Sequence, residues 1–235
     1  MHYNLLFNGC SFTDGGELQG TDDDWEHRRT HRFSHIVSQK TGLTYDCISR
    51  SGASNDKILR STAKWFEEGN TCDHAIIQWT NRNRVEYFSE EILGHCTKTP
   101  NYYSIYPKSN IKSTNIGRSI QNSFITIQNN SNDQHNEDSC MYWMEKLLKD
   151  KCSLDYLKIE KESEVVSDYY KLSPYYEYRT KFPITHINGD ILPLNKIIYY
   201  CKNIPGYPKL NGGHPNEAGH RKIASYIINN FDYFQ

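Results

Sequence analysis

Short apolar runs alternate with helix-spaced apolar residues along the first ninety positions of this chain. "HYNLLFNGCSFTDGG" (2–16) opens on the run "YNLLFN", a strand by length and composition, and then breaks into small and polar residues around Ser11. "RFSHIVSQKTG" spaces Phe33, Ile36 and Val37 as one helix face and ends at Gly42, a helix C-cap. "LTYDCIS" reads as a second strand. "SNDKILRSTAKWFEEG" predicts a helix capped by Ser54 or Asn55, with Ile58, Leu59, Ala63 and Phe66 on its apolar face and Gly69 as its stop. "DHAIIQWT" follows as a buried strand. Strands alternating with helices of this length form parallel βαβ units with right-handed crossovers. The pattern therefore predicts an α/β protein, a three-layer α/β/α sandwich around a central parallel sheet.

The rhythm weakens in two places. Residues 95–137, rich in Asn, Ser, Gln and Tyr, have little periodicity and read as an insertion, a candidate loop over a site. "EDSCMYWMEKLLKDKC" recovers a helix with Met141, Met144, Leu147 and Leu148 on one face, and "SLDYLKI" is the next strand. Residues 160–210, rich in Tyr and Pro, read as a second irregular insertion. "HPNEAGHRKIASYIINNF" is a closing helix that offers Ala218, Ile223, Ile227 and Ile228 to the core. No internal repeat is visible, and residues 1–235 read as a single domain.

Composition narrows the partners. With 37% hydrophobic residues, 235 positions suffice for one sizeable core. A formal net charge of −1 supplies no basic field, so neither nucleic acid nor an anionic membrane is expected as a partner. No stretch approaches the roughly 20 apolar residues of a spanning helix, and no basic segment followed by a long apolar one opens the chain. A soluble, cytoplasmic protein is the expectation. Seven cysteines, at 10, 47, 72, 96, 140, 152 and 201, are odd in number and lack a CxxC pair, which fits reduced thiols.

Four segments carry candidate chemistry. Ligands of open α/β sheets sit beyond the carboxyl ends of the strands, so Ser11, in the turn after the first strand, stands at the expected active edge. A serine there is more often a turn residue or helix N-cap. "SRSGASND" places Gly52 and Asn55 after the second strand, where a glycine lets backbone N–H groups approach an anion; otherwise the segment is a plain βα turn. "IIQWTNRNR" places the Asn81 amide after the third strand, at the same edge. "NGGHPNEAGH" places His214 on a loop just before the closing helix, with Pro215 suited to its first turn.

Taken in order, these segments resemble the SGNH hydrolases, or GDSL-type esterases, whose name lists Ser, Gly, Asn and His in chain order. The matching residues are Ser11 in "GCSFT", Gly52 in "SGASN", Asn81 in "WTNRNR" and His214 in "GGHPNEAGH". The likeness covers residues 4–90 and 209–231, and element order alone extends it through the middle. It implies a flavodoxin-like sheet and a serine ester hydrolase that needs no metal or cofactor. In it, Ser11 is the nucleophile, His214 the general base, and the Ser11 and Gly52 backbone N–H groups with the Asn81 side chain the oxyanion hole. The implied substrate is a small-molecule or carbohydrate ester, as for a carboxylesterase or carbohydrate deacetylase.

Cys10 and Asn211 stand where the family usually carries aspartates, before the nucleophile and three residues before the histidine. Loss of the second acid leaves three readings of the corner. A backbone carbonyl orients His214, Asn211 orients it as asparagine does in papain-like enzymes, or the domain is catalytically silent and serves binding or assembly. Cys10 with His214 and Asn211 also spells a cysteine hydrolase. Adjacent residues on an extended chain face opposite ways, however, so only one of Cys10 and Ser11 faces the histidine, and the family places Ser11 there.

Three other groupings read more plainly. His27, His31 and His35 recur at a metal-ligand spacing, but no acidic partner is tied to them by spacing and Arg28, Arg29 and Arg32 oppose a cation. A solvated helix face is the expectation. His214 and His220, six apart, fall on different faces of a helix and do not make a zinc pair. "SDYYKLSPYYEYRTKF" carries five tyrosines in residues 169–178, suited to stacking on sugar rings or to packing over the core edge.

Overall fold

The computed structural model describes residues 1–16, 18, 25–82, 84–88, 102–105, 130–159, 184–187, 191 and 214–235. Its strands are β1 (His2–Asn8), β2 (Tyr45–Cys47), β3 (Thr71–Trp79), β4 (Val85–Phe88), β5 (Tyr102–Ile105), β6 (Ser153–Lys158) and β7 (Ile184–His186). Its helices are α1 (Ser11–Asp14), α2 (Trp25–His31), α3 (Phe33–Thr41), α4 (Asn55–Glu67), α5 (Asn130–Leu148) and α6 (Glu217–Asn230). Five strands form one sheet in the order β2-β1-β3-β6-β7, every neighbouring pair parallel. β4 and β5 pair antiparallel as a separate ribbon.

The sheet explains why β1 and β3 read as apolar runs rather than alternating patterns. Both are covered on both faces: Leu5, Leu6 and Phe7 in β1, and Ala75, Ile76 and Ile77 in β3, are all buried. The register sets Leu6 beside Ala75 and Phe7 beside Ile76. The crossovers β1→β2 and β2→β3 run in opposite directions across the sheet, so the right-handed rule puts α3 and α4 on opposite faces. Accordingly α3 packs against α6 and α4 against α5. The predicted three-layer α/β/α sandwich is the observed architecture.

Helix boundaries follow the caps. Gly42, at φ 73°, ends α3 and donates its N–H to Ser38 O. Ser54 accepts from Lys57 N at 3.2 Å to start α4, and Asn216 accepts from Gly219 N at 3.0 Å to start α6. Pro215 thus precedes the cap instead of occupying the first turn.

The structure corrects four expectations. On α4 the deepest residues are Ile58, Thr62 and Trp65, with Leu59, Ala63 and Phe66 half-buried. Polar partners turn the helix: Trp65 Nε1 donates to Asp46 Oδ2 at 2.8 Å, and Thr62 Oγ1 accepts from Asn8 Nδ2 at 2.8 Å. The insertion placed at 95–137 contains β5 and the first turns of α5, where Glu137 is buried against Lys158 of β6 at 2.7 Å. The insertion placed at 160–210 contains β7, an edge strand of the sheet. Finally, His27, His31 and His35 do not share a helix. Arg32 breaks the run as the extended N-cap of α3, so His35 lies on α3, its Nδ1 3.2 Å from Tyr45 Oη.

Among the described residues, no helix is long and apolar enough to cross a membrane. The five tyrosines of 169–178 lie outside the described residues.

Candidate active site

Ser11 is held by its neighbours. β1 ends at Asn8, whose Nδ2 reaches Ile58 O, Ser61 Oγ and Thr62 Oγ1 of α4 at 2.8–2.9 Å, while Oδ1 accepts from Gly9 N at 2.8 Å. Next, Gln78 of β3 brings its Oε1 against the turn and accepts from Cys10 N (3.1 Å), Cys10 Sγ (3.3 Å) and Thr13 Oγ1 (3.1 Å). Its Nε2 donates to Trp79 O. This approach requires Gly9, because a Cβ there would lie 2.5 Å from Thr13 Oγ1 and 2.7 Å from Gln78 Oε1. Cys10 is therefore fully buried and turned toward Gln78, and its neighbour Ser11 opens α1 with a half-buried side chain.

The far side of α1 is anchored by charge. Asp14 Oδ2 accepts from Ser51 N at 3.0 Å and Ser51 Oγ at 2.7 Å, and buried Arg28 and Arg32 approach the same carboxylate at 3.5 and 4.0 Å. The loops after β1 and β2 are thereby tied together. Gly52, at φ 81°, sits in the turn closed by Ala53 N donating to Arg50 O at 3.1 Å, and Arg50 N donates in turn to Gly9 O at 3.2 Å.

The loop after β3 is stitched to the same turn. Asn55 Oδ1 accepts from Thr80 N at 2.9 Å, and Arg84 donates its Nη1 to Ala53 O and its backbone N to Asn81 O, both at 3.1 Å. Ser11, Gly52 and Asn81 thus follow three strands that are adjacent in the sheet, β1, β2 and β3, at their carboxyl ends.

His214 arrives from the other end of the chain. Its Nε2 lies 2.6 Å from Ser11 Oγ, across 203 residues of sequence. The Phe12 ring packs on the imidazole with centroids 5.1 Å apart. Below it, His220 of α6 is fully buried, stacks on Phe33 at 5.8 Å and accepts from Phe33 N at 3.2 Å. Burial first, and then the nearby His214 and Arg32, push the His220 imidazole down to about 3, so it is neutral at neutral pH. Asn211 lies outside the described residues. A serine hydroxyl in hydrogen-bond contact with an imidazole beyond the carboxyl ends of parallel strands is the geometry that nucleophile and base pairs use.

Several supporting residues escaped the sequence reading. Gln78 carried a signal, being the polar residue within the apolar run "AIIQW", where a buried side chain must be satisfied. Asp14 and its two arginines had none, since i-spaced charges on a helix read as surface. Among the described residues, the one group of three or more His, Cys, Asp or Glu side chains close enough to share a metal ion is His27, His31 and Glu217, which come together in space although 190 positions separate His27 from Glu217.

The five-stranded parallel sheet between helix layers is a three-layer α/β/α fold, and GDSL-type proteins are among the solved structures it resembles. A lipolytic protein of the G-D-S-L family from Desulfitobacterium hafniense DCB-2 superposes with TM-score 0.51 at 9% identity, over 96% of this chain and 98% of that one. The acetyl xylan esterase Est2A from Butyrivibrio proteoclasticus superposes with TM-score 0.50 at 13% identity over 98% of this chain, which spans 65% of that protein's length. No protein-family model and no curated protein matches the sequence.

Proposed function

We propose that the chain is a serine ester hydrolase. The observation that carries this reading is the 2.6 Å contact between Ser11 Oγ and His214 Nε2. His214 takes the Ser11 proton as Oγ attacks the ester carbonyl, and the tetrahedral oxyanion is received by the Ser11 and Gly52 backbone N–H groups and the Asn81 amide. The imidazolium then protonates the departing alcohol. Water, deprotonated by the same histidine, releases the acid from Ser11. Cys10 plays no nucleophilic part, because its thiol is fully buried and donates to Gln78 Oε1, while Ser11 Oγ is the group that meets His214. Asn211, which stands where the family carries its second aspartate, is the candidate to orient the imidazole.

The substrate class is a short acyl ester of a small alcohol or carbohydrate. An acetyl xylan esterase built on the same fold supports the short acyl group, and the tyrosines of 169–178 are suited to stacking on a sugar.

Hydrolysis of p-nitrophenyl acetate and of peracetylated xylose, measured for wild type, Ser11→Ala and Asn211→Ala, tests the proposal. Turnover by the wild type, a fall of at least about 10³-fold in Ser11→Ala, and a smaller loss in Asn211→Ala are expected. A folded wild type with no turnover on any ester, and no fluorophosphonate label at Ser11, would instead identify a silent binding domain.

A further inference from the structure

We propose that His27, His31 and Glu217 form a binding site for one divalent transition-metal ion with the ligand preferences of Zn(II), which staples α2 to the first turn of α6. Each residue presents one ligand atom, and the three atoms lie within 4.8 Å of one another. His27 Nε2 is 3.0 Å from Glu217 Oε1. Ligands around a tetrahedral ion bound at 2.0–2.1 Å sit about 3.3 Å apart, so modest side-chain rotations close the set. The two imidazoles come from one helix at i and i+4 and stack with centroids 3.8 Å apart and planes 13° from parallel.

Outer contacts prepare the ligands. His31 Nδ1 lies 2.9 Å from His27 O, a contact that puts the ring hydrogen on Nδ1 and a lone pair on Nε2. Glu217 divides its oxygens, Oε1 toward His27 and Oε2 toward Arg221 at 3.4 Å. Two nitrogens and one carboxylate oxygen, with a fourth position open to water, form a borderline donor set that selects Zn(II), Cu(II) or Ni(II) over Ca(II) or Mg(II).

The arginines that argued against a cation in the sequence are turned away or engaged. Arg28 and Arg32 approach Asp14 at 3.5 and 4.0 Å, and Arg29 approaches Glu26 at 3.3 Å. Two carboxylates that are not ligands, Asp14 and Glu26, answer part of their charge.

The ion's place gives it a role. Glu217 lies three residues beyond His214, so a metal joining it to α2 fixes the segment that carries the imidazole. Binding is independent of the Ser11 and His214 reading and is measured without turnover.

The test uses the full chain, free of affinity tags and stripped with EDTA. Co(II) titration followed by visible absorption, Zn(II) displacement, and thermal unfolding with and without Zn(II) are the readouts. Expected are one ion per chain and a melting temperature raised by about 5–10 °C at a hundredfold excess of free ion over Kd. His31→Gln and Glu217→Gln should each weaken binding at least about tenfold. The Ser11→Ala variant should bind like wild type. Absence of Co(II) or Zn(II) binding by the wild type overturns the proposal. So does binding unchanged in both variants, which would place the ion elsewhere, for instance on the neighbouring Cys72 and Cys152 thiols.

Discussion

The two halves of the Ser11–His214 pair are held in place by different means. The serine sits in a turn fixed by polar side chains: Asn8 and Gln78 accept from Gly9 N, Cys10 N and Thr13 Oγ1 in buried bonds, and Asp14 accepts from Ser51 in part-buried ones. The histidine stands at the start of a helix and is held by ring packing on Phe12, by the Asn216 cap and by the docking of α6 on α3 over His220. Polar bonds at short range fix direction, whereas packing fixes position and leaves rotation softer. A nucleophile must be aimed within tenths of an ångström. On the proposed hydrolase reading, His214 must also rotate between the attacking hydroxyl and the leaving group, and a packed ring permits that.

The largest effect is expected where the polar scaffold is cut. Gln78→Leu keeps the apolar volume of β3 but leaves Cys10 N–H and Thr13 O–H buried without their acceptor. Each orphan costs about 1–3 kcal/mol, so urea unfolding should show a loss of about 3 kcal/mol, with kcat reduced and KM little changed. A variant within 0.5 kcal/mol of wild type would show that the turn is not held from β3, and the contrast between the two halves would fail.

That contrast also explains what the sequence made legible. Parallel strands buried on both faces betray themselves as apolar runs, so β1 and β3 were visible and Ser11 and Asn81 could be placed at their ends, while Gly52 rested on the shorter signal of β2. His214 was legible through the closing helix. Residues whose meaning depends on a distant partner were not. Glu137 looked like part of a polar insertion because its partner Lys158 lies on a strand 21 residues later, and nothing in sequence links Glu217 to His27. Arg32 as an extended cap, splitting α2 from α3, was invisible because arginine carries no capping signal.

The histidine half is sharpened by pH. The His220 imidazole titrates near 3 in the folded chain against the ordinary value of 6.5, so above pH 6.5 both states are neutral and its full contribution is present. As pH falls below 6.5 the unfolded chain takes up a proton that the folded chain refuses, and stability is lost until about pH 3. Between pH 7.5 and 5 the loss is about 2 kcal/mol, a fall of roughly 4–8 °C in melting temperature. His220→Gln should lower stability at pH 7.5 yet flatten that acid slope. An equal slope in wild type and variant would mean that α6 is not docked over a neutral imidazole.

Phe12 lies at the seam between the two regimes, and its replacement should have the smallest effect. It belongs to the serine's own helical turn, next to Ser11, yet its ring is what His214 packs against at 5.1 Å. Phe12→Leu keeps a buried apolar side chain and leaves the backbone bonds of α1 intact, so Ser11 stays aimed. What is removed is the ring-to-ring contact, worth about 0.5–1.5 kcal/mol in aromatic pairs. If the Phe12 ring helps restrain the imidazole, kcat should fall by up to about tenfold while KM and the fluorophosphonate labelling site stay unchanged. A change in KM with constant kcat would make Phe12 part of the substrate's surface. No change in either would move the restraint on His214 to the α6 side, where the cap, the helix docking and the Glu217 corner remain to hold it.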